Sequence, residues 1–238
     1  MDNDIKILVD TIKEWNLSIS DYQINQFIKY YNLLIEWNEK INLTAITEFN
    51  EVIIKHFLDS ISVVKVCDFS NVTSIIDIGT GAGFPGIPLK ILFPDIRIVL
   101  LDSLNKRIDF LNLVISELSL SNIETYHGRA EEFARDSLFR EKFDLCVSRA
   151  VANLSTLSEI CIPFVSIDGC FIPYKSSKVD EELEGCVNTF ELLDSYVDKI
   201  FKFSFFDNER SFVIIKKNNS VSDKYPRRAG IPGKKPLN

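Results

Sequence analysis

Ser74-Ile-Ile-Asp77-Ile-Gly79-Thr-Gly81-Ala-Gly83-Phe84-Pro85-Gly86 is the stretch on which the reading of this chain turns. A short apolar run ends in a carboxylate and then breaks into alternating glycines. That is the pattern of a buried parallel strand giving way to a loop whose bare backbone can lie against a ligand. Roughly 20 residues further on, a second apolar run from Ile96 to Leu101 ends in Asp102, whose carboxylate can accept both hydroxyls of a ribose. The two together predict a doubly wound α/β sheet with a nucleoside-containing ligand at its strand ends.

Working outward, strand candidates are Ile75–Ile78, Arg97–Leu101, Ile123–Tyr126, Phe143–Ser148 and Cys170–Tyr174, then Tyr196–Phe205 and Phe212–Lys216. Helical spacing fills Ile87–Phe93, Lys106–Leu118, Asn153–Val165 and Val179–Leu192. Alternation of this kind builds βαβ units and a parallel sheet. The last two strands are separated only by Asp207-Asn-Glu-Arg210, which predicts an antiparallel hairpin. Ahead of the sheet, Ile5–Trp15, Asp21–Glu39 and Asn50–Val66 read as amphipathic helices. The expected organisation is a helical extension over 1–66 packed on the core, a main domain over 67–217 and a basic tail over 218–238.

Composition narrows the class. A chain of 238 residues with 46% hydrophobic residues is globular. No apolar run reaches the roughly 18 residues of a membrane helix, and the first residues do not read as a signal peptide. Five cysteines without Cys-x-x-Cys spacing and only two histidines predict reduced thiols and no metal site. The net charge of −7 argues against wholesale nucleic-acid coating. Yet residues 216–238 hold seven basic side chains, Arg227 and Arg228 among them, against the single acid Asp223, so that tail can grip phosphates locally.

Gly81-x-Gly83-x-x-Gly86 also satisfies the dinucleotide fingerprint, so a nicotinamide-dependent oxidoreductase is the competing reading. Asp77 ahead of the glycines suits a ligand carrying an ammonium group, whereas a pyrophosphate needs a free helix N-terminus. Pro85 and Pro88 remove two donors from that turn. With the terminal hairpin, this favours S-adenosylmethionine and a methyl transferase. The acceptor is then narrowed by what is missing. After the fourth strand stands Ser148-Arg149-Ala150-Val151, not the tetrad that amino-group methylation needs. Cys146 lies within a strand and reads as a core hydrophobe, not a nucleophile. A purine N7 has a ready lone pair and no proton to remove, and no convincing general base is in view.

Arg149 stands at the carboxyl end of the central strands, where it can serve a guanine O6, a phosphate or the cofactor carboxylate. Lys175 follows the fifth strand as a candidate phosphate contact. His56 can line the same cleft or simply pack. The loop from His127 through Gly128-Arg129-Ala130-Glu131 can approach an adenine.

The segments Asn42-Leu-Thr-Ala-Ile46, Lys55-His-Phe-Leu-Asp-Ser60 and Asp77-Ile-Gly-Thr-Gly-Ala-Gly-Phe-Pro-Gly-Ile-Pro88 carry a resemblance, with Leu101-Asp-Ser-Leu-Asn-Lys-Arg107, Arg129-Ala-Glu131, Ser148-Arg-Ala150 and Lys224-Tyr-Pro-Arg-Arg-Ala-Gly-Ile-Pro232. In this order they resemble the bacterial small-subunit ribosomal RNA guanine-N7 methyltransferases, the glucose-inhibited division protein B family. The resemblance implies a class I S-adenosylmethionine-dependent methyltransferase fold, a seven-stranded, mostly parallel sheet with added N-terminal helices. It implies methylation of a guanine in 16S rRNA, with the RNA or a small-subunit ribosomal particle as partner, in the cytoplasm and as a monomer. By position, Gly79 and Phe84 would contact S-adenosylmethionine, with Gly81 and Gly83 in the same loop. Asp102, Ser103 and Leu104 would hold the ribose and flank the adenine. Ala130 and Glu131 would meet the adenine edge, and Arg149 would close the site. On this reading, truncation after Lys217 weakens RNA binding and leaves cofactor affinity unchanged.

Overall fold

A computed structural model describes residues 2–149, 152–206 and 208–238. Ala150 and Val151 after the fourth strand, and Asp207 of the hairpin, lie outside the described residues. In chain order the helices before the sheet are α1 (Asp2–Glu14), α2 (Asp21–Asn38) and α3, a continuous run made of Phe49–Val52, Ile53–Leu58, Asp59–Ile61 and Ser62–Lys65. The strands are β1 (Ser74–Ile78), β2 (Arg97–Asp102), β3 (Ile123–His127), β4 (Phe143–Ser148), β5 (Val165–Lys175), β6 (Ser195–Phe205) and β7 (Asn208–Lys217). Between and after them come α4 (Gly86–Leu92), α5 (Asn105–Glu117), α6 (Ala130–Phe133), α7 (Leu154–Cys161), α8 (Val179–Glu184), α9 (Thr189–Leu192) and α10 (Ile231–Lys234).

All seven strands form one sheet in the order β3-β2-β1-β4-β5-β7-β6. Pairs from β3 to β5 are parallel, and β7 runs antiparallel between β5 and β6. This is the seven-stranded, mostly parallel sheet that the resemblance implies, with the antiparallel pair at its end that the hairpin predicts. Its order reverses at β1 and β4, so the carboxyl ends of β1, β2 and β4 open onto one crevice.

Successive residues of β1 go to opposite layers. Ile75 joins a core with α1 to α5, whereas Ile76 and Ile78 join a second core with α6, α7 and α8. The described part of the N-terminal extension, residues 2–66, is therefore packed into the core. Leu8, Ile12, Phe27, Tyr30, Leu34 and Phe57 are fully buried against Ile87, Ile98 and Phe110. Ser20 opens α2 with a capping box, and its partner Gln23 also donates to Ile91 O at 2.7 Å. Gln26 donates to Leu118 O at 2.8 Å, which stitches α2 to the end of α5.

Some elements differ from the sequence reading, each for a local reason. The hairpin is tighter than expected, since Phe205 already pairs with Asn208. Ser204 donates to Glu209 across it at 2.7 Å, so polar residues expected in the turn belong to the ladder. The predicted helix over Val179–Leu192 is interrupted at Gly185 into α8 and α9. The helix α6 has four residues, too few for a periodic signal. Within α3, Ile53–Leu58 is a π-turn that sets Lys55, His56 and Asp59 on the side facing β4.

Tyr30, fully buried on α2, donates its hydroxyl to Ala82 O at 2.5 Å and so ties the N-terminal helices to the glycine loop. Tyr30→Phe leaves that buried carbonyl without its partner and should lower unfolding free energy by about 1–3 kcal/mol, read from urea denaturation. An unchanged midpoint would mean that the helices do not secure the loop.

Candidate active site

The loop after β1 continues the sheet before it turns. Gly79 N and Thr80 N both donate to Leu101 O, at 2.9 and 3.2 Å. Gly79 (φ 70) and Gly81 (φ 62) take left-handed backbone, and a Cβ on Gly81 would meet nothing within 4 Å. That open space over accessible backbone is a cradle for a ligand. Gly83 has a different reason to be glycine. It is buried, and a Cβ there would lie 2.5 Å from Ile87 Cγ1 and 2.8 Å from Tyr30 Oη. Its bareness serves packing under the loop, not contact with a ligand.

Asp77, expected to face an ammonium group, is enclosed. Its Oδ2 accepts from Thr80 Oγ1 at 2.7 Å and from Gly86 N at 2.9 Å, while the buried Oδ1 has no partner. It braces the loop from beneath and reaches a ligand only through that loop. Burial pushes its carboxyl up to about 7. The same contact occupies the first amide of α4, Ile87 N bonds to Gly83 O, and Pro88 has no donor. No free helix N-terminus is left for a pyrophosphate.

Asp102 closes the other side of the loop. Its Oδ2 accepts from Gly81 N and its Oδ1 from Leu104 N, both at 2.9 Å, and Arg107 lies 3.2 Å from Oδ2. The carboxylate is aimed by two backbone amides and keeps lone pairs for ribose hydroxyls. A slot of about 290 Å³ opens beside it, lined by Gly79, Asp102, Ser103, Ala130, Glu131 and, across from them, Leu157 of α7. Leu104 is 52% exposed at its rim. His127 sits outside this lining and lies 3.3 Å from Ser103 O. These residues fit a nucleoside: aimed acceptors for a sugar, open glycine backbone, and apolar walls for a base.

Phe84 corrects an expectation. Its ring is 5% exposed and stacks on His56 at 4.6 Å, with the Arg149 guanidinium 5.0 Å from its centre. It is a pedestal for the neighbouring cleft rather than a wall of the slot.

That cleft has a volume of about 790 Å³ and is lined by Lys55, His56, Asp59, Arg149, Lys175, Glu182 and Arg210, among others. Asp59, which the sequence did not single out, accepts from Arg149 Nη1 at 2.9 Å and from Arg210 Nε at 2.6 Å. Arg149 also donates to Lys55 O at 3.1 Å and to His56 Nδ1 at 3.2 Å. His56 Nδ1 is thus an acceptor, which leaves Nε2–H to donate to Thr44 Oγ1 at 2.7 Å. Burial and then the Arg149 charge push this imidazole down to about 4, so it is neutral near pH 7. Lys175 is buried and donates to Ala152 O and Glu182, both at 2.7 Å. Ala152 borders both the slot and the cleft. The two cavities meet there.

The tail residues separate. Arg228 is exposed, but Arg227 is bound to the fully buried Glu159 through its backbone N and Nε at 2.8 Å and Nη2 at 2.5 Å. Its backbone N, Nε and Nη2, the last also donating to Lys235 O at 2.6 Å, are committed inside the protein, so the phosphate grip expected of it yields to an internal ion pair. Cys146 is fully buried in the second core, as its strand position predicts.

A carboxyl whose folded pKa stands above its unfolded value contributes most below the unfolded value and loses that contribution as pH rises through the folded one. Asp77→Asn keeps an acceptor for Thr80 and Gly86 but cannot ionise. Its urea midpoint should gain on wild type between pH 5 and pH 8, and a constant gap would contradict the raised carboxyl.

Comparison with known proteins bears on the same residues. A family profile described as rRNA small subunit methyltransferase G matches residues 23–212. Curated proteins named ribosomal RNA small subunit methyltransferase G are 50% identical over 98% of both chains in Lachnoclostridium phytofermentans and 48% identical over 99% of both in Desulforamulus reducens. Among solved structures, the mitomycin 7-O-methyltransferase MmcR superposes with TM-score 0.57 at 13% identity, covering 79% of this chain and 60% of that one. M. capricolum TrmK, solved in complex with the cofactor product S-adenosyl-homocysteine, gives 0.51 at 17%, covering 68% of this chain and 69% of that one. The structural likenesses establish the sheet alone, but identity near one half over nearly every residue carries further: this chain belongs to the GidB family of rRNA small subunit methyltransferases.

Proposed function

We propose that this protein transfers a methyl group from S-adenosylmethionine to N7 of a guanine in 16S rRNA of the small ribosomal subunit. The observation that carries this reading is the junction at Ala152 of a nucleoside-shaped slot with a cationic cleft whose potential bases are all engaged. Asp59 is held by two arginines, Glu182 by Lys175, and both nitrogens of His56 by Arg149 and Thr44.

When bound, the cofactor supplies a methyl activated on sulfonium. The chain's own residues position and hold. Asp102 receives the ribose hydroxyls on the oxygens that Gly81 N and Leu104 N aim, and Ala130, Glu131 and Leu157 bound the base. An acceptor that must lose a proton finds no free base among the cleft residues described, whereas N7 of a purine has none to lose. Alignment of that lone pair is then the main demand on the site.

Cleft charge serves the RNA. Lys55, Arg149, Lys175 and Arg210 outnumber Asp59 and Glu182, which gives an otherwise acidic protein a local positive field for phosphate. Methylation leaves a cation on the base, and Asp59 draws the Arg149 guanidinium aside from it, over Phe84. Held there, Arg149 serves O6 or a phosphate with the donors that Asp59, Lys55 O and His56 leave over. The cytoplasm, where ribosomal RNA is handled, is the corresponding compartment, and the exposed Arg228 and Lys224 can extend the RNA contact.

Radiolabelled methyl transfer to small-subunit RNA lacking the mark should yield 7-methylguanosine on nucleoside analysis, and any other labelled nucleoside refutes the acceptor. Arg149→Ala should lower the single-turnover rate at least about tenfold, equal to roughly 1.4 kcal/mol. Arg149→Lys should restore little, because a point charge reproduces neither the fork on Asp59 and His56 nor the stack on Phe84. Full rate in both variants removes Arg149 from the site.

A further inference from the structure

The tail after β7 runs back over the outer faces of α6 and α7, beyond the segment that the family profile covers. Its path is fastened at every stage. Arg140 donates to the carbonyls of Val221, Ser222 and Tyr225, and Arg135 to those of Asp223 and Pro226. Thr156 donates to Pro232 O, and both Ser155 and Thr189 donate to Leu237 O. Val221 and Leu237 are buried in the second core.

Two further fastenings are carboxylates on the helices that flank the nucleoside slot, one of them, Glu131, in its lining. Glu159 of α7, fully buried, is neutralised by Arg227, and its neighbours Leu157 and Ile160 line the slot. Glu131 of α6 lines the slot itself, and its Oε1 accepts from Gly230 N at 2.9 Å and from Arg129 Nη2 at 3.2 Å. Gly230 sits at φ 80, a conformation that places its amide and that a side chain would strain. α6 has four residues and α7 eight, so few backbone bonds lie within each helix; α7 is seated by Leu154, Leu157 and Cys161 in the second core, and the tail contacts act on its outer side.

We propose that residues 218–238 are a strap that positions the adenine-side wall of the cofactor slot, with Arg227 and Gly230 as its positioning residues. The proposal rests on the cofactor reading above and reverses the expectation that loss of the tail leaves cofactor affinity untouched. Releasing Arg227 leaves Glu159 buried without its charge partner, and α7 must shift to hydrate it. Displacing Gly230 frees Glu131 at the base-binding wall. Both changes act on the nucleoside half of the ligand and not on the half beyond the glycine loop.

Calorimetry on the full-length chain tests this with S-adenosyl-homocysteine and with 5′-methylthioadenosine, which lacks the amino-acid part. Arg227→Ala and Gly230→Ala should each weaken both ligands by the same factor, tenfold or more, at a temperature where circular dichroism shows native folding. Arg227→Lys should recover part of the loss. Turnover of Arg227→Ala should return at saturating cofactor, so that KM for the cofactor rises while kcat holds. Affinities within twofold of wild type in both variants, or a loss confined to S-adenosyl-homocysteine, overturn the strap. Wild-type protein that binds neither ligand sinks the cofactor reading and the strap together, which separates that failure from the others. Gly230→Ala changes no charge, so a loss there cannot be assigned to weaker RNA or ligand electrostatics.

Discussion

One buried carboxyl holds the shape on which the whole site depends. Asp77, the last residue but one of β1, has no exposure to solvent, and its Oδ2 gathers the Thr80 hydroxyl and the Gly86 amide. The loop between those two residues then has its ends fixed about a single atom. Tyr30 holds the middle through Ala82 O, and Asp102 holds the flank through Gly81 N. A glycine-rich loop is costly to order because glycine loses the most backbone freedom on folding. Three anchors from three separate elements offset that cost, and they leave Gly79 and Gly81 as the accessible surface.

The same logic governs charge. In a chain of net charge −7, the cations at the site are not free. Arg149 and Arg210 share Asp59, Lys175 faces Glu182, and Arg227 is closed on Glu159. Each acid in these pairs is largely removed from water, so it orients its partner while lowering its desolvation cost. The arginines of the cleft line the cavity, whereas Arg227 spends its backbone N, Nε and Nη2 on Glu159 and Lys235. Position within the fold, not residue type, separates a nucleic-acid contact from a structural ion pair.

Much of the architecture was legible from local pattern. β4 falls where its apolar run predicts, and β1 to β3 differ from their predicted bounds by a residue at an end. The acid at the end of β2 lies beside the glycine loop because parallel βαβ geometry brings consecutive strand ends together. Failures cluster where the signal is short or non-local. The α6 helix has four residues, and the π-turn of α3 over Ile53–Leu58 offers Lys55 O to Arg149, 94 positions away. Phe84 and Gly83 stand in the motif exactly as a ligand contact would, yet they face Tyr30, Phe57 and His56.

By itself, then, the sequence determined the order of strands and helices, the switch point of the sheet, the aspartate at the end of β2 beside the glycine loop, and the family. The first three rest on periodicity and spacing, which act within about 20 residues of chain, and the family on the motifs that carry the resemblance. Tertiary structure alone decided which side chains share a partner. Asp59 meets Arg210 across 151 positions, Arg149 meets His56 across 93, and Gly230 meets Glu131 across 99. No periodic signal spans such distances, because these contacts exist only after hydrophobic burial has closed the two layers on the sheet and left each polar group to find a partner in the dry space that remains.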